Sequence, residues 1–289
     1  MPLRRDPTLR QRRLGAELRR MREHGGLGGS QLARALGLNP TQVTQMEAGR
    51  IGVSAERLRT VAAACRCADQ GLVEALAEIA TERCKGWWEE YRGVISADFL
   101  DVAEIEANAR RITVFTMAFI PGLLQTNAYT AAVFANGYPP LPQHEAEVRI
   151  GFRQRRRQHL RSRQTPLRAL VHEAALRIRY GRPEVHGAQL ESLVADSEHP
   201  AISLRIVPFD TVAFPGPAEN FAYAEGPIAA LDTVQADSSV GSHLFDSPAT
   251  LGSYREIMDR IAAVALSEEA SRELVRSLAK ELGGGAGHA

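Results

Sequence analysis

Apolar residues recur at three- and four-residue steps through the first quarter of the chain. Leu14, Leu18 and Met21 form one stripe, Leu32, Ala33 and Leu36 a second, Val43 and Met46 a third, and Leu58, Val61, Ala62 and Cys65 a fourth. Such spacing lines up one face of a helix, so it predicts four short helices, with Leu27 closing their core after the His24-Gly25-Gly26 turn. A fifth helix follows from Gln70 to about Arg83 on Leu72, Val73, Leu76 and Ile79.

The punctuation between the second and third stripes is specific. Gly37 stands just past the last periodic residue, where a left-handed conformation ends a helix. Asn39 is then placed as an N-cap and Pro40 as the first residue of the next helix. A short helix, a tight glycine turn and a second short helix make a helix-turn-helix, which lays its second helix in the DNA major groove. Thr41, Gln42, Thr44 and Gln45 fall off the apolar face of that helix, and amides and threonine methyls suit base edges. The competing reading is an ordinary helical bundle with a tight turn, which leaves the polar run and the closing Glu47-Ala48-Gly49-Arg50 without a reason.

Beyond residue 86 the periodicity is mixed. Ile112 to Ile120, Leu167 to His172, Ile202 to Phe209, Phe221 to Glu225 and Ile228 to Val234 read as strands bounded by Pro, Gly or Asp. Helical spacing marks Phe99 to Arg110, Gln143 to Ser162, Val185 to Ser197, and two terminal helices opening at Ser247-Pro248 and Ser267. The fold class expected is multidomain: an all-α five-helix helix-turn-helix domain over 1–67 with a basic arm, a connector helix over 68–85, and an α+β domain over 86–282 with a four- to five-stranded sheet. Residues 283–289 are expected to be a disordered tail.

Composition sharpens this picture through charge. The formal net charge of +1 hides a polarised chain: residues 1–66 hold thirteen Arg against five acidic residues, and the remainder carries an acidic surplus. A basic domain gains DNA affinity by releasing counterions, and Arg4, Arg5, Arg10, Arg12 and Arg13 could follow a DNA backbone or form an idle basic tail. With no long apolar run and no signal-like segment, a cytoplasmic, nucleoid-associated protein without membrane contact is expected.

Leu14 to Ala64 resembles the Xre family of phage-repressor-like helix-turn-helix domains, in which the Glu-x-Gly-Arg ending is typical. The resemblance implies a structural ion pair between Arg22 and Glu47. It turns Pro40, Thr41, Gln42 and Gln45 toward bases, with Asn39, Thr44 and Arg50 near the DNA backbone. The sequence departs from the family at Gly28-Gly29, where a capping hydroxyl and a phosphate-clamping Gln are usual; Ser30 and Gln31 are the candidates to take over. From about Gly86 to Leu282 the Gly86-Trp87-Trp88 start, the acidic helix and the Pro121 to Thr126 run resemble the effector domain of actinobacterial, WhiJ-like, antitoxin-like regulators. That likeness implies control by a small partner protein encoded nearby, while the short reading helix, which sees too few bases alone, points to a homodimer on a palindromic double-stranded DNA operator.

An alternative is a small-molecule ligand held in a pocket lined by Trp87, Trp88, Phe119, Pro121, Leu124 and Gln125, although large apolar side chains more often fill cores. Cys65, Cys67 and Cys84 lack metal-ligand spacing, so neither metal nor cofactor is expected. His172-Glu173, Asp196-Glu198-His199 and His243-Asp246 carry acid–base types without a catalytic motif, and the chain is not read as an enzyme. The basic helix holding Arg149, Arg153, Arg155, Arg156, Arg157, Arg161 and Arg163 reads as a solvated face paired within its own domain, or as a second DNA or acidic-partner contact.

Overall fold

The structure, a computed structural model, describes residues 7–81, 86–217, 219–238 and 241–284. Arg4, Arg5 and Cys84 lie outside the described residues. The chain divides into two compact units, Met1–Glu90 and Tyr91–Ala289.

The first unit is built of α1 (Leu9–His24), α2 (Gly29–Ala35), α3 (Pro40–Glu47), α4 (Ala55–Ala64) and α5 (Gln70–Thr81). Leu18, Leu32, Val43, Leu58, Val61 and Leu76 are almost wholly buried between them. The last of these belongs to α5, which packs on α4 and α1 as part of the bundle. Helix ends repeat one device. After α1, α2 and α3 a glycine at φ of +68°, +64° or +69° (Gly26, Gly37, Gly49) is followed by an amide that reaches back over the last turn. For α2 these bonds are Leu38 N–H to the Ala33 carbonyl at 2.8 Å and Gly37 N–H to the Arg34 carbonyl at 3.2 Å. This is the Schellman arrangement, and glycine adopts its left-handed position without a Cβ penalty. After α4 the same bonds form around Arg66 at φ +54°.

The second unit opens with α6 (Ala97–Asn108) and continues through β1 (Arg111–Thr116), α7 (Asn127–Ala135), α8 (Gln143–Arg163), β2 (Leu167–His172), α9 (Glu173–Arg177), α10 (Pro183–Asp196), β3 (Ile202–Val207), β4 (Phe221–Glu225), β5 (Thr233–Ser238), β6 (Gly241–Phe245), α11 (Pro248–Val264) and α12 (Glu268–Gly284). Its sheet runs β3-β2-β1-β4-β5-β6. The first three strands pair in parallel, joined by helical crossovers; the other pairings are antiparallel. Alternate residues feed two cores, as the pleat requires. Ile112, Val114, Leu167, Ala169, Leu204 and Ile206 meet residues of α7, α8, α10 and α12. Phe115, Leu170, Val207, Phe221 and Tyr223 meet α11 on the other face.

The α+β expectation holds, with six strands where four or five were expected. The segment from Ile228 to Val234 holds a 3-10 turn, Ala229–Leu231, and the strand begins late and runs over Thr233–Ser238. β6 was not anticipated, because Gly-Ser-His-Leu-Phe is a weakly alternating edge sequence. β1 ends at Thr116, four residues early: the next amide, of Met117, bonds the Asn220 side chain at 2.9 Å instead of a neighbouring strand. β3 stops before Pro208, which has no amide to continue the ladder. Gly283 and Gly284, expected in the tail, belong to α12, and the residues after them lie outside the described ones. Among the described residues no helix is long and apolar enough to cross a membrane, and no group of three or more His, Cys, Asp or Glu is placed to hold a metal.

Candidate nucleic-acid interface

The exposed polar helix α3 is held at both ends. At its start Asn39 Oδ1 accepts the Gln42 amide at 2.8 Å, and Gln42 Oε1 accepts the Asn39 amide at 3.0 Å. This reciprocal capping box satisfies two amides that a helix start leaves open, and Pro40 at the first position has none to lose. At its end Glu47 takes a bidentate contact from Arg22, with Nε to Oε1 at 2.6 Å and Nη2 to Oε2 at 2.9 Å. Arg22 Nη1 also donates to the Leu27 carbonyl at 3.0 Å, so one guanidinium ties α3 to the entry of α2. Both side chains are mostly buried, and the bond to Glu47 raises the Arg22 pKa. A pair of this kind fixes geometry; removing one partner strands the other charge.

Two glycines set how closely α3 lies against α1. A Cβ on Gly15 would stand 2.4 Å from the Glu47 carbonyl oxygen, and one on Gly49 would stand 2.6 Å from that of Gln11. The backbones meet directly there, which is the physical content of the Glu47-Ala48-Gly49-Arg50 ending. Gly15 was missed at the sequence level, although a glycine inside a strong helical pattern is a usable sign of close backbone approach.

The candidate reading residues differ in what their polar atoms are free to do. Pro40, Thr41 and Gln42 are exposed. With Oε1 held in the cap, Gln42 presents Nε2 as a donor, which matches an acceptor such as guanine O6 or N7; a bidentate grip on adenine requires the cap bond to open. Gln45 is half-buried with Oε1 unpaired, a cost that turning the amide toward a base edge would remove. Thr44 is exposed, and its Oγ1 donates to the Pro40 carbonyl at 3.1 Å. Arg50 is exposed and makes no ion pair among the described residues. At the other helix start, α2 begins at Gly29, and Gln31 Oε1 accepts the Gly28 amide at 2.6 Å. Gln31 thus supplies half a capping box without a capping hydroxyl, while Ser30 is exposed.

Residues 13–76 match a helix-turn-helix domain family, from inside α1 into α5. Residues 99–277, more than half of the chain, match the family described as a domain of unknown function, DUF5753. The chain belongs to the DUF5753 family. No curated protein and no solved structure matches it significantly. The helix-turn-helix domain marks this DUF5753 protein as a DNA-binding regulator.

The residues proposed for an effector pocket are divided between the two units. Trp87 and Trp88 meet edge to face at 6.1 Å and fall in the first unit, whereas Phe119, Pro121, Leu124 and Gln125 fall in the second. Phe119 is half-buried, and Pro121, Leu124 and Gln125 are buried. Gln125 is a structural hub. Its Nε2 donates to the Ile120 carbonyl at 2.7 Å, its Oε1 accepts from Thr130 and Arg153, and its carbonyl accepts from Gln154 and Arg157. The basic helix α8 is turned inward over much of its length. Arg156 grips Glu106, Arg157 and Arg161 share Asp196, and Arg153 lies 4.8 Å over the Phe134 ring. Burial pulls the Arg153 and Arg157 pKa values down. Only part of this helix therefore fits a solvated face; Arg155 and Arg163 are exposed. His172 and His199 each use Nδ1 to accept a backbone amide, and burial lowers the His172 pKa. The Cys65 thiol is buried, which raises its pKa away from reactivity.

Proposed function

We propose that the chain is a sequence-specific transcriptional regulator of Xre type, antitoxin-like or a repressor, and not an enzyme. Two copies read a palindromic operator with half-sites about one helical turn apart, each through α3. The observation that carries this reading is the exposed run Pro40, Thr41, Gln42 on a helix fixed by the Arg22–Glu47 pair and the Gly15–Gly49 approach. In this reading Arg50 and Gln31 touch phosphates. The second unit is the control module, and a small partner protein that binds it alters DNA occupancy.

Genome-wide footprinting combined with co-purification from the native host tests both halves. The expected result is enrichment of a short palindrome together with a small protein; recovery of the regulator with no DNA enrichment rejects the reading. A second mode of control, by a small molecule, is favoured by one observation: a polar cleft on the sheet of the second unit in which two opposite charges stand unpaired.

A further inference from the structure

Register places Thr113, Arg168 and Ser203 side by side across β1, β2 and β3, on the face of the sheet that α11 covers. α11 packs over Phe115, Leu170 and Val207, nearer the other end of these strands. The starts of the three parallel strands are left as the floor of a cleft of about 660 Å³, walled by Met258 and Asp259 of α11 and by Arg272 of α12. That size falls in the range of small-molecule sites, about 300–1,000 Å³.

The charges around this floor are nearly all committed. Arg111 faces Glu225 at 3.5 Å, Arg255 holds Asp232 at 2.9 Å, and Arg272 donates to Ser197. Arg205 donates to the carbonyls of Leu266 and Ala265, and the Ser203 hydroxyl donates to Glu268. Arg168 and Asp259 are the exceptions. Among the described residues neither side chain makes a hydrogen bond or an ion pair, although both line the cleft. Arg168 is half-buried; burial and the neighbouring Arg205 and Arg111 lower its pKa, while Asp259 opposes them. A partly desolvated guanidinium whose nearest counter-charge, Asp259, is out of ion-pair reach is costly to keep, and an arriving oxyanion lowers that cost.

From this geometry we propose that the cleft binds a small zwitterion, an oxyanion on Arg168 and an ammonium on Asp259. The proposal rests on the small-molecule mode of control and moves its site away from Phe119 and the Pro121 run. An anion alone leaves Asp259 unanswered, and a cation alone leaves Arg168 so. The two charges set a polarity for the ligand, anionic end on the sheet and cationic end toward α11.

Calorimetry on the full chain tests this with phosphoethanolamine and γ-aminobutyrate as zwitterionic probes, one with a phosphate and one with a carboxylate, and inorganic phosphate as the anion-only probe. At least one zwitterion is expected to bind once per chain, ten-fold or more tighter than inorganic phosphate. Arg168→Gln should weaken that zwitterion at least ten-fold, with Arg168→Lys recovering part of the loss. Asp259→Asn should erase the preference over inorganic phosphate. Thermal midpoints and operator binding of each variant check that both units remain folded. The proposal is overturned if neither zwitterion binds, or if Arg168→Gln binds as well as the parent. Zwitterion binding without any DNA enrichment would instead reject the regulator reading and leave this site standing.

Discussion

In the first unit Gln42 sits at an exposed helix start, gives its oxygen to the Asn39 amide and keeps its nitrogen for solvent. In the second, Gln125 is 1% exposed and commits both ends of its amide, and its carbonyl as well, to neighbours from three segments. The same side chain is a proposed reader in one setting and a strut in the other, and the difference lies in how many of its polar atoms remain unspent. Arginine divides the same way: Arg50 is left open beside α3, while Arg156 and Arg157 are enclosed with Glu106 and Asp196. Local abundance of a polar residue type is therefore a poor guide to an interface, and the residual hydrogen-bonding capacity of each atom is a better one.

Removing the strut should have the largest effect. Gln125→Ala strands the Ile120 carbonyl, Thr130 and Arg153 around a new cavity, and we expect a loss of about 3–5 kcal/mol in urea unfolding, since each buried unsatisfied group costs about 1–3 kcal/mol. A loss below about 1 kcal/mol, the usual range for a surface change, would collapse the contrast with Gln42. Next, Gly15→Ala should destabilise by about 1–3 kcal/mol, because its Cβ meets backbone that cannot give way without moving α3. Gln42→Ala should leave the unfolding midpoint nearly unchanged while costing about 1–3 kcal/mol of operator affinity and relaxing preference at one base pair. Equal losses on operator and random DNA in a binding titration would return Gln42 to the scaffold.

Two smaller effects refine the comparison. Gly151 sits exposed inside α8 with no atom within 4 Å of an added Cβ, so Gly151→Ala should stabilise by about 0.5–1 kcal/mol, opposite in sign to Gly15→Ala. Arg50→Ala should weaken all DNA sequences alike and lower the slope of affinity against salt by about one unit. A sequence-dependent loss would make Arg50 a reader.

The helix-turn-helix was legible because its signals are local. Gly37, Asn39 and Pro40 each act within a few residues, and the same chemistry closes and opens helices in the structure. Gly15 escaped notice because its reason is 32 residues away, at the Glu47 carbonyl. In the second unit the parallel strands announced themselves as apolar runs, and β6 did not, because an edge strand buries little. α7 was hidden by its composition: Asn-Ala-Tyr-Thr-Ala-Ala-Val-Phe-Ala has few polar residues with which to mark an outer face. The burial of Leu124 and Gln125 could not be read from their own segment, because it depends on partners such as Arg153 of α8 and Gln189 of α10, brought in from 28 and 65 residues away. The unpaired Arg168 and Asp259 were illegible for the same reason: being without a partner is a property of the folded neighbourhood.

The facing glycines of α1 and the α3 exit also bear on inheritance. With bare backbone on both sides of one contact, a side chain gained at position 15 pushes the reading helix outward, and one gained at position 49 pushes it from the opposite end. Neither site can drift by itself while the operator stays the same. Descendants of this chain that replace one glycine should carry a matching change in the DNA sequence they answer to, so these two positions, which face backbone of their own domain, should help track how the family acquires new targets.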